Sequence, residues 1–233
     1  MTKKRNDNYM KTLAIIPAGG RGIRSGFSVP KQYLKFKKKE LIVYTLELFQ
    51  RNELIDEIIV SVEESYIKLI NKLKVKYNLS KISKIVKGGN ERQDSVFNAL
   101  TSIGNRSQEV LIAVHDAVRP LLPQNILSNA IKLAKQKGNA LVCIKAKDTL
   151  ATGKIFVESF LDRDKTYYVQ TPQIFPYQVL LRAMENARLK KIIGTDESML
   201  VKEIGESVNI VEGSVYNFKI TSTDDIEMFE RLI

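Results

Sequence analysis

A glycine-rich basic segment near the start of the chain combines the residue types that an anion site needs. Residues 15–34 read IIPAGGRGIRSGFSVPKQYL, an apolar run followed by Gly19, Gly20 and Gly22 among basic residues that include Arg24 and Lys31. Glycine lets backbone N–H groups approach a ligand closely because it has no Cβ, and Arg and Lys suit ligands with several negative charges. The segment therefore predicts a polyphosphate-binding loop, although a glycine-rich turn after a strand can also be purely structural.

The segment matches neither of two familiar phosphate loops. The P-loop requires G-x-x-x-x-G-K-[ST], and no Lys-Ser or Lys-Thr follows the second glycine here. The dinucleotide fingerprint requires G-x-G-x-x-G, and GRGIRS lacks the third glycine. A polyphosphate ligand would have to be held in another way.

Two further polar clusters follow predicted strands. The stretch GGNERQDS, from Gly88 to Ser95, opens a helix whose free N–H groups, with Asn90 or Ser95, can meet the edge of a base. An ordinary Asn helix cap is the structural alternative. The stretch HDAVRP contains Asp116 and Arg119, which can orient a metal-bound phosphate or a substrate hydroxyl, or form only a local ion pair.

The remaining candidates are cations without a nucleophile. His115 is the single histidine, so neither a His-rich metal site nor a Ser-His-Asp triad is indicated, and we expect no metal ligands from the protein. Lys219 lies in a strand-like segment, where solvent-facing lysines are common. Together with Arg24, Lys31 and Arg163 it favours phosphoryl or nucleotidyl transfer, in which the protein mainly positions groups and neutralises charge.

Apolar runs alternate with helical patterns along most of the chain. Short strands are predicted at 12–16, 57–62, 82–87, 109–115 and 139–145, and helices at 41–50, 65–77, 92–103 and 124–137. Later strands are predicted at 167–169, 207–211 and 217–220, and later helices at 177–189, 196–204 and from 223. This order predicts an α/β fold with a mostly parallel sheet, helices on both faces and ligands beyond the carboxyl ends of the strands.

Length and composition fit one large domain over residues 1–233, with a frayed tail at about 1–11. Polar residues at about 146–165 interrupt the alternation and predict an extended hairpin arm, which either packs on a partner subunit or is a surface excursion. The single cysteine, Cys143, is expected to be a buried packing residue.

Short apolar runs and the lack of a signal peptide predict a cytoplasmic protein without a membrane span. The net charge of +11 suits anionic substrates or nucleic acid and decides nothing alone.

The motifs of the chain, taken in order, resemble those of the 2-C-methyl-D-erythritol 4-phosphate cytidylyltransferase family of the non-mevalonate isoprenoid pathway. They are PAGGRGIR, PKQYL, GGNERQDSV, HDAVRP, TPQIF, GTDES and VEGSVYNFKIT, and they extend from about residue 12 to the C-terminus. The ordered set is far more specific than any one motif. The resemblance implies a Rossmann-like nucleotidyltransferase fold, CTP with Mg²⁺ held mainly through the CTP phosphates, and a homodimer formed through the extended arm.

The resemblance also implies a role for individual residues. Arg24 and Lys31 would stabilise the transition state at the α-phosphate of CTP, without a general base because the attacking phosphate is already ionised. The nucleotide would be bound by Ala18, Gly19, Gly20, Gly88, Asn90 and Ser95, although Asp is common where Asn90 stands. The sugar-alcohol phosphate would be positioned by Asp116, Arg119, Thr171, Thr195 and Lys219, and by the neighbouring subunit's copies of Thr149 and Arg163.

Two other functions remain open from the sequence. A pentitol-phosphate cytidylyltransferase, such as the ribitol 5-phosphate enzyme, shares most of these motifs, although ERQDS and TDES favour the methylerythritol family. A basic nucleic-acid-binding protein would need a cationic face away from the glycine loop, and no such signature occurs. The expected partners are therefore CTP, a sugar-alcohol phosphate and a second copy of the chain, without nucleic acid or membrane.

Overall fold

A central sheet positions the loops that carry the candidate residues. The computed structural model describes residues 10–20, 29–104 and 110–233. The strands there are β1 (Lys11–Ala18), β2 (Lys35–Phe36), β3 (Lys39–Glu40), β4 (Glu57–Val62), β5 (Ile82–Lys87), β6 (Val110–Val114), β7 (Ala140–Lys145), β8 (Ala151–Gly153), β9 (Val157–Phe160), β10 (Tyr167–Pro176) and β11 (Ile210–Glu212). The α-helices are α1 (Leu41–Arg51), α2 (Ile67–Lys76), α3 (Arg92–Ser102), α4 (Gln124–Lys137), α5 (Tyr177–Leu189), α6 (Glu197–Glu203) and α7 (Thr223–Leu232).

The main sheet of the described residues has the strand order β11-β7-β10-β6-β1-β4-β5. Strand β1 pairs in parallel with both β4 and β6, β4 pairs in parallel with β5, and β11 with β7. Strand β10 runs antiparallel to both of its neighbours, β6 and β7. The predicted mostly parallel α/β sheet is therefore confirmed, with one antiparallel strand inserted.

Helices cover both faces of this sheet, which explains the sequence of its central strand. Leu13 and Ile15 of β1 belong to the core layer beneath α3, α5 and α6. Ala14 and Ile16 belong to the layer beneath α1, α2 and α4. All four are fully buried, so β1 reads as a continuous apolar run instead of an alternating one.

The helices follow the predicted spacing of apolar residues. In α4, the side chains of Leu127, Ala130, Ile131 and Ala134 are buried at intervals of three and four residues. Gly138 ends this helix with φ of 89°, a left-handed conformation that glycine adopts without strain. The predicted boundary at residue 137 is therefore confirmed.

The structure differs from the sequence-based expectation in several places. The expected strand at 217–220 is wrong: this segment is a loop, because its polar groups bond to neighbouring loops, as in Ile220 N–H to Val118 O at 3.0 Å. The short strand at 167–169 is only the start of the ten-residue β10, whose register shifts between Val169 and Gln173. The sequence also gave no sign of the β2–β3 hairpin, and Lys11 of the expected tail already begins β1.

A third apolar cluster packs the C-terminal helix behind the candidate site. Phe229 of α7 meets Phe36 of the β2–β3 hairpin edge-on, with ring centroids 5.2 Å apart. Val118 and Ile220 complete this cluster, so α7 supports the loop that follows β6. Among the described residues, no helix is both long enough and apolar enough to cross a membrane.

The arm, residues 146–165, contains the antiparallel hairpin of β8 and β9. Its side chains are exposed from residue 151 to residue 165, and several are large and apolar. Ile155 is 88% exposed and Phe156 82% exposed. The extended β-arm expected from the sequence is therefore present.

Candidate active site

Two glycine loops meet at the carboxyl edge of the sheet. Gly19 follows β1 and Gly88 follows β5, and a Cβ built on either residue would lie 2.9 Å from Oγ of Ser95. That distance is shorter than real Cβ contacts, so both positions require glycine unless the surroundings shift. The structure thus brings the start of the predicted phosphate loop, at Gly19, together with the predicted base-reading segment at Gly88 and Ser95.

The hydroxyl of Ser95 holds the second loop in shape. Its Oγ accepts a hydrogen bond from Gly89 N–H at 3.1 Å and donates to the carbonyl of Glu91 at 3.1 Å. Ser95 is buried, whereas Asn90 is exposed beside it. The N-cap of α3 is Glu91, so Asn90 does not serve as the helix cap that the structural alternative required.

A short 3-10 turn, Lys31–Tyr33, ties Lys31 to the first glycine loop. Nε2 of Gln32 donates to the carbonyls of Ala18 and Gly20, both at 2.8 Å. Tyr33 stacks on Tyr66 with ring centroids 4.0 Å apart, which fixes the other side of the turn. Burial raises the pKa of Tyr33 well above its ordinary value, so its hydroxyl stays protonated.

Gln32 was missed as a contributor to the site. The quoted motif PKQYL contained it, but only the fold shows that its amide links the turn to the glycine loop. Arg24, the second predicted catalytic cation, lies outside the described residues.

Asp116 is the centre of a buried charge cluster at the same edge. Its Oδ2 lies 3.1 Å from Nζ of Lys219 and accepts from Nε of Arg119 at 3.3 Å. Its Oδ1 accepts from Nε of Arg92 at 2.8 Å. The three cations come from three separate segments: the start of α3, the loop after β6 and the loop before α7.

Glu197 completes what we call the Asp116 cluster: Asp116, Arg92, Arg119, Glu197 and Lys219. Nη1 and Nη2 of Arg92 donate to the two carboxylate oxygens of Glu197 at 2.6 and 3.1 Å. Glu197 is 1% exposed, as the first residue of α6. Three cations against two carboxylates leave one positive charge in excess, which suits an anionic ligand.

Electrostatics fix the charge states within the cluster. Burial opposes ionisation of Asp116, but Arg92, Lys219 and Arg119 outweigh it and hold the pKa of that carboxyl well below its usual range. Burial likewise opposes the charge of Arg92, and Glu197 and Asp116 raise its pKa above the ordinary value. Asp116 and Arg92 therefore stay ionised over the physiological pH range.

His115 and Thr171 form a hydrogen-bonded chain behind Asp116. Nε2 of His115 lies 3.0 Å from the carbonyl of Arg119, which can only accept, so Nε2 carries the proton. Nδ1 then accepts from the Thr171 hydroxyl at 3.0 Å, and that hydroxyl accepts from Asp116 N–H at 3.2 Å. Burial lowers the pKa of His115 to about 4, so the ring is neutral.

Asn217 links this chain to Arg119. Its Nδ2 donates to the carbonyl of Thr171 at 2.7 Å and to Oε1 of Gln170 at 3.1 Å. Its own carbonyl accepts from Nη1 of Arg119 at 2.6 Å. The loop before α7 is therefore held against β10 and against the loop after β6, which explains why it does not form the predicted strand.

The structure therefore brings Asp116, Arg119, Thr171 and Lys219 together as the sequence predicted. Thr195 is exposed two residues before Glu197, and its hydroxyl faces the sulfur of Met199 at 3.0 Å.

Two of the predicted site residues lie on the arm, and two residues of the Asp116 cluster were not predicted. Thr149 and Arg163 lie on the exposed arm, where Nη1 of Arg163 contacts the carbonyl of Lys147 at 3.4 Å. The roles of Arg92 and Glu197 were missed. Charged residues inside the motifs NERQDS and TDES were the signal, but the sequence did not show that they pair.

The donor set of this edge does not form a protein cage for a metal ion. The described residues contain no group of three His, Cys, Asp or Glu side chains that could hold one. Both oxygens of Asp116 already face cations. The described residues therefore offer no cluster that would enclose a metal ion without further ligands.

Comparison with known proteins shows the family of the chain. A model of the 2-C-methyl-D-erythritol 4-phosphate cytidylyltransferase family matches residues 12–233. Proteins of that name from Clostridium botulinum (strain Langeland) and Clostridioides difficile (strain 630) are each 39% identical to the chain over 225 residues. The first alignment covers 96% of this chain and 97% of the relative, and the second covers 94% and 92%.

Solved structures share the same fold. A 2-C-methyl-D-erythritol 4-phosphate cytidylyltransferase from Francisella tularensis superposes with a TM-score of 0.82 at 30% identity, covering 96% of this chain and all of that one. A 4-diphosphocytidyl-2C-methyl-D-erythritol synthase from Anaerococcus prevotii superposes with a TM-score of 0.83 at 26% identity, covering 98% and 99%.

The α/β fold, with cations and glycine loops at the carboxyl edge of its sheet, is that of a nucleotidyltransferase. The family match extends this assignment over nearly the whole chain. The chain belongs to the 2-C-methyl-D-erythritol 4-phosphate cytidylyltransferase family.

Proposed function

We propose that this enzyme transfers the cytidylyl group of CTP to 2-C-methyl-D-erythritol 4-phosphate, giving 4-diphosphocytidyl-2-C-methyl-D-erythritol and pyrophosphate. The observation that carries the proposal is the convergence of Arg92, Arg119 and Lys219 on buried Asp116, at the sheet edge that also carries the glycine loops. Family membership supports the choice of both substrates. The whole chain would act as one catalytic domain.

Two halves of the edge would bind the two substrates. The loops at Ala18, Gly19 and Gly20 and at Gly88, Asn90 and Ser95 would hold CTP, because their glycines carry no Cβ to keep a ligand away from the backbone N–H groups. The acceptor phosphate would meet Lys219, whose side chain is 40% exposed at the rim of the Asp116 cluster. Asp116, Arg119, Thr171 and Thr195 would position the acceptor around it.

The reaction would proceed by in-line attack of an acceptor phosphate oxygen on the α-phosphorus of CTP. The bond from the α-phosphorus to the bridging oxygen breaks, and pyrophosphate leaves with the electron pair. The nucleophile is already an anion, so no general base is needed, and the neutral, buried His115 is not one. Lys31 and Arg24 would stabilise the charge that develops on the α-phosphate.

Magnesium would act as a partner of CTP. Since the described residues offer no carboxylate cage, the ion would be carried by the nucleotide phosphates, where it would neutralise charge on the pyrophosphate leaving group.

The arm supports the proposal of a homodimer. Its apolar residues Ile155, Phe156 and Phe160 are exposed, and contiguous exposed apolar surface is typical of interaction sites. A second copy would cover these residues and receive Thr149 and Arg163 in its own site. We propose a cytoplasmic location, where CTP is present.

Subunit mixing tests the shared site. Arg163→Ala and Lys31→Ala proteins would each have strongly reduced activity, but a mixed dimer would contain one site with both native residues. Partial recovery of activity after verified subunit exchange is expected. No recovery would mean that each site is built within one chain.

The proposed reaction is tested by pyrophosphate release. CTP should be preferred over ATP, GTP and UTP, and 2-C-methyl-D-erythritol 4-phosphate over ribitol 5-phosphate in a panel of sugar-alcohol phosphates. Equal turnover with ATP, or preference for ribitol 5-phosphate, would contradict the assignment. Filter binding of tRNA and DNA at physiological salt should show no specific complex, which separates the enzyme from a nucleic-acid-binding protein.

A further inference from the structure

Arg92 stands at the junction of the two proposed substrate sites. It is the first residue of α3, directly after the loop Gly88–Glu91 on the nucleotide side. Its guanidinium, however, contacts Asp116 and Glu197 on the acceptor side. We propose that Arg92 and Glu197 are positioning residues that set the orientation of Asp116 and thereby the affinity for the acceptor. This inference rests on the function proposed above.

The geometry uses the planar fork of arginine. Nη1 and Nη2 engage both oxygens of Glu197, while Nε engages Oδ1 of Asp116. A lysine ammonium is a point charge and cannot make the paired contact to Glu197 and the contact to Asp116 with fixed angles. The orientation of Asp116 therefore depends on the shape of Arg92 as well as on its charge.

Burial makes this arrangement specific. Glu197 and Asp116 are 1% and 6% exposed, and a buried carboxylate that loses its partner is strongly disfavoured. Glu197 also cancels the charge of Arg92, so Arg92 does not compete for a ligand phosphate. The positive charge in excess is thereby left to the more exposed Lys219.

The consequence concerns the acceptor more than CTP. Arg92 occupies Oδ1 of Asp116, and Oδ2 remains for Arg119 and Lys219. Without the fork, both oxygens of Asp116 become available to Lys219 and Arg119. Lys219 is then drawn towards Asp116 and away from the acceptor phosphate. The expected result is weaker acceptor binding with little change in kcat, which reports the reaction at the α-phosphorus.

Steady-state kinetics with each substrate varied separately test the inference. Arg92→Lys should raise the acceptor KM about 10-fold, the size of a lost hydrogen bond to a charged group, while kcat and the CTP KM change less than about threefold. Glu197→Gln keeps the shape of the side chain and should also raise the acceptor KM. It tests the inference even if Arg92→Lys folds poorly. The double variant should be no worse than Arg92→Lys, because the two residues act as one unit.

Arg182→Lys is the matched control. Arg182 forms an ion pair with Glu206 at the surface, and this variant should leave all three kinetic parameters unchanged. An unchanged acceptor KM in both folded variants, or an equal rise in the CTP KM, would overturn the inference while the wild-type reaction stands. If the wild-type protein released no pyrophosphate from CTP with either sugar-alcohol phosphate, the proposed function and this inference would fall together.

Discussion

The Asp116 cluster and the arm depart from the usual pattern of burial in opposite ways. In the cluster, the carboxylates of Asp116 and Glu197 are buried, and both find cationic partners within the same chain. In the arm, large apolar side chains such as Ile155 and Phe156 are left in contact with solvent. The carboxylates of the first region are therefore paired within one chain, whereas the second region has apolar surface that a partner would cover.

This difference in burial suits two different roles, catalysis in the cluster and association in the arm. Buried ion pairs contribute little net stability but fix geometry, which a site for phosphate transfer needs. Exposed apolar surface contributes nothing to the fold of one chain and becomes favourable only on association. Substitutions in the two regions should therefore change different measurements.

The largest effect is expected on kcat, from a substitution at the proposed catalytic lysine. Lys31→Ala should lower kcat on the order of 10²–10³-fold, corresponding to about 2.7–4 kcal/mol of transition-state stabilisation, with less change in either KM. The measurement is steady-state pyrophosphate release on proteins confirmed to be folded.

Lys31→Arg serves as the companion variant and should not restore kcat, because a planar fork does not reproduce a compact ammonium in a turn tied down by Gln32. Near-normal kcat in Lys31→Ala would show that the turn is only structural.

The next effect is a pH dependence of stability in the buried region. His115 has a pKa of about 4 in the fold, below the roughly 6.5 of an unfolded chain, so the unfolded state binds more protons between these values. Stability is therefore fully present above about pH 6.5 and falls as pH drops through 4, by about 3 kcal/mol in total. Urea unfolding at several pH values measures this loss.

His115→Gln should remove that part of the pH dependence, and the difference between the two proteins isolates it from the titration of carboxylates. As the chain has one histidine, NMR of the ring gives its pKa without assignment. A ring that titrates near 6.5 in the folded protein would contradict the buried hydrogen-bonded chain.

A smaller effect should distinguish two adjacent glycines. Gly19→Ala places its Cβ 2.9 Å from Oγ of Ser95 and should cost about 1–3 kcal/mol, as overpacking does. Gly20→Ala meets no atom of the described residues within 4 Å and is the matched control, so its free energy of unfolding should stay close to the wild-type value. Denaturant unfolding of both variants is the measurement. Equal stability would mean that the two loops do not pack as closely as described.

The smallest effect on the fold is expected in the arm. Phe156→Asp should leave the far-UV circular dichroism spectrum unchanged, because exposed substitutions usually shift stability by less than about 0.5 kcal/mol. It should nevertheless convert a dimer into a monomer in sedimentation equilibrium. Val75→Asp, equally exposed on α2, is the control and should not alter the mass. A dimer that tolerates Phe156→Asp would remove the arm from the interface.

The sequence predicted the fold wherever a local pattern had one structural solution. The run KTLAIIPA became β1, and the spacing of apolar residues together with Gly138 defined α4. Pro172 hid the length of β10, since proline argues against a central strand and only the register shift beside it shows how the sheet accommodates it. The apolar and aromatic residues at 217–220 suggested a strand, although their backbone is used by Val118 and Arg119.

The same division holds for the candidate site. The sequence by itself determined which residue types the carboxyl edge carries: glycines at 19 and 88, Lys31, Asp116, Arg119 and Lys219. The tertiary structure alone decided that Arg92 joins Asp116 to Glu197, 105 residues away along the chain, and that Gln32 fastens Lys31 to the glycine loop. The physical reason is that spacing along a chain reports strands, helices and turns, whereas a buried charge takes its partner from whichever segment the folded sheet brings within hydrogen-bond distance.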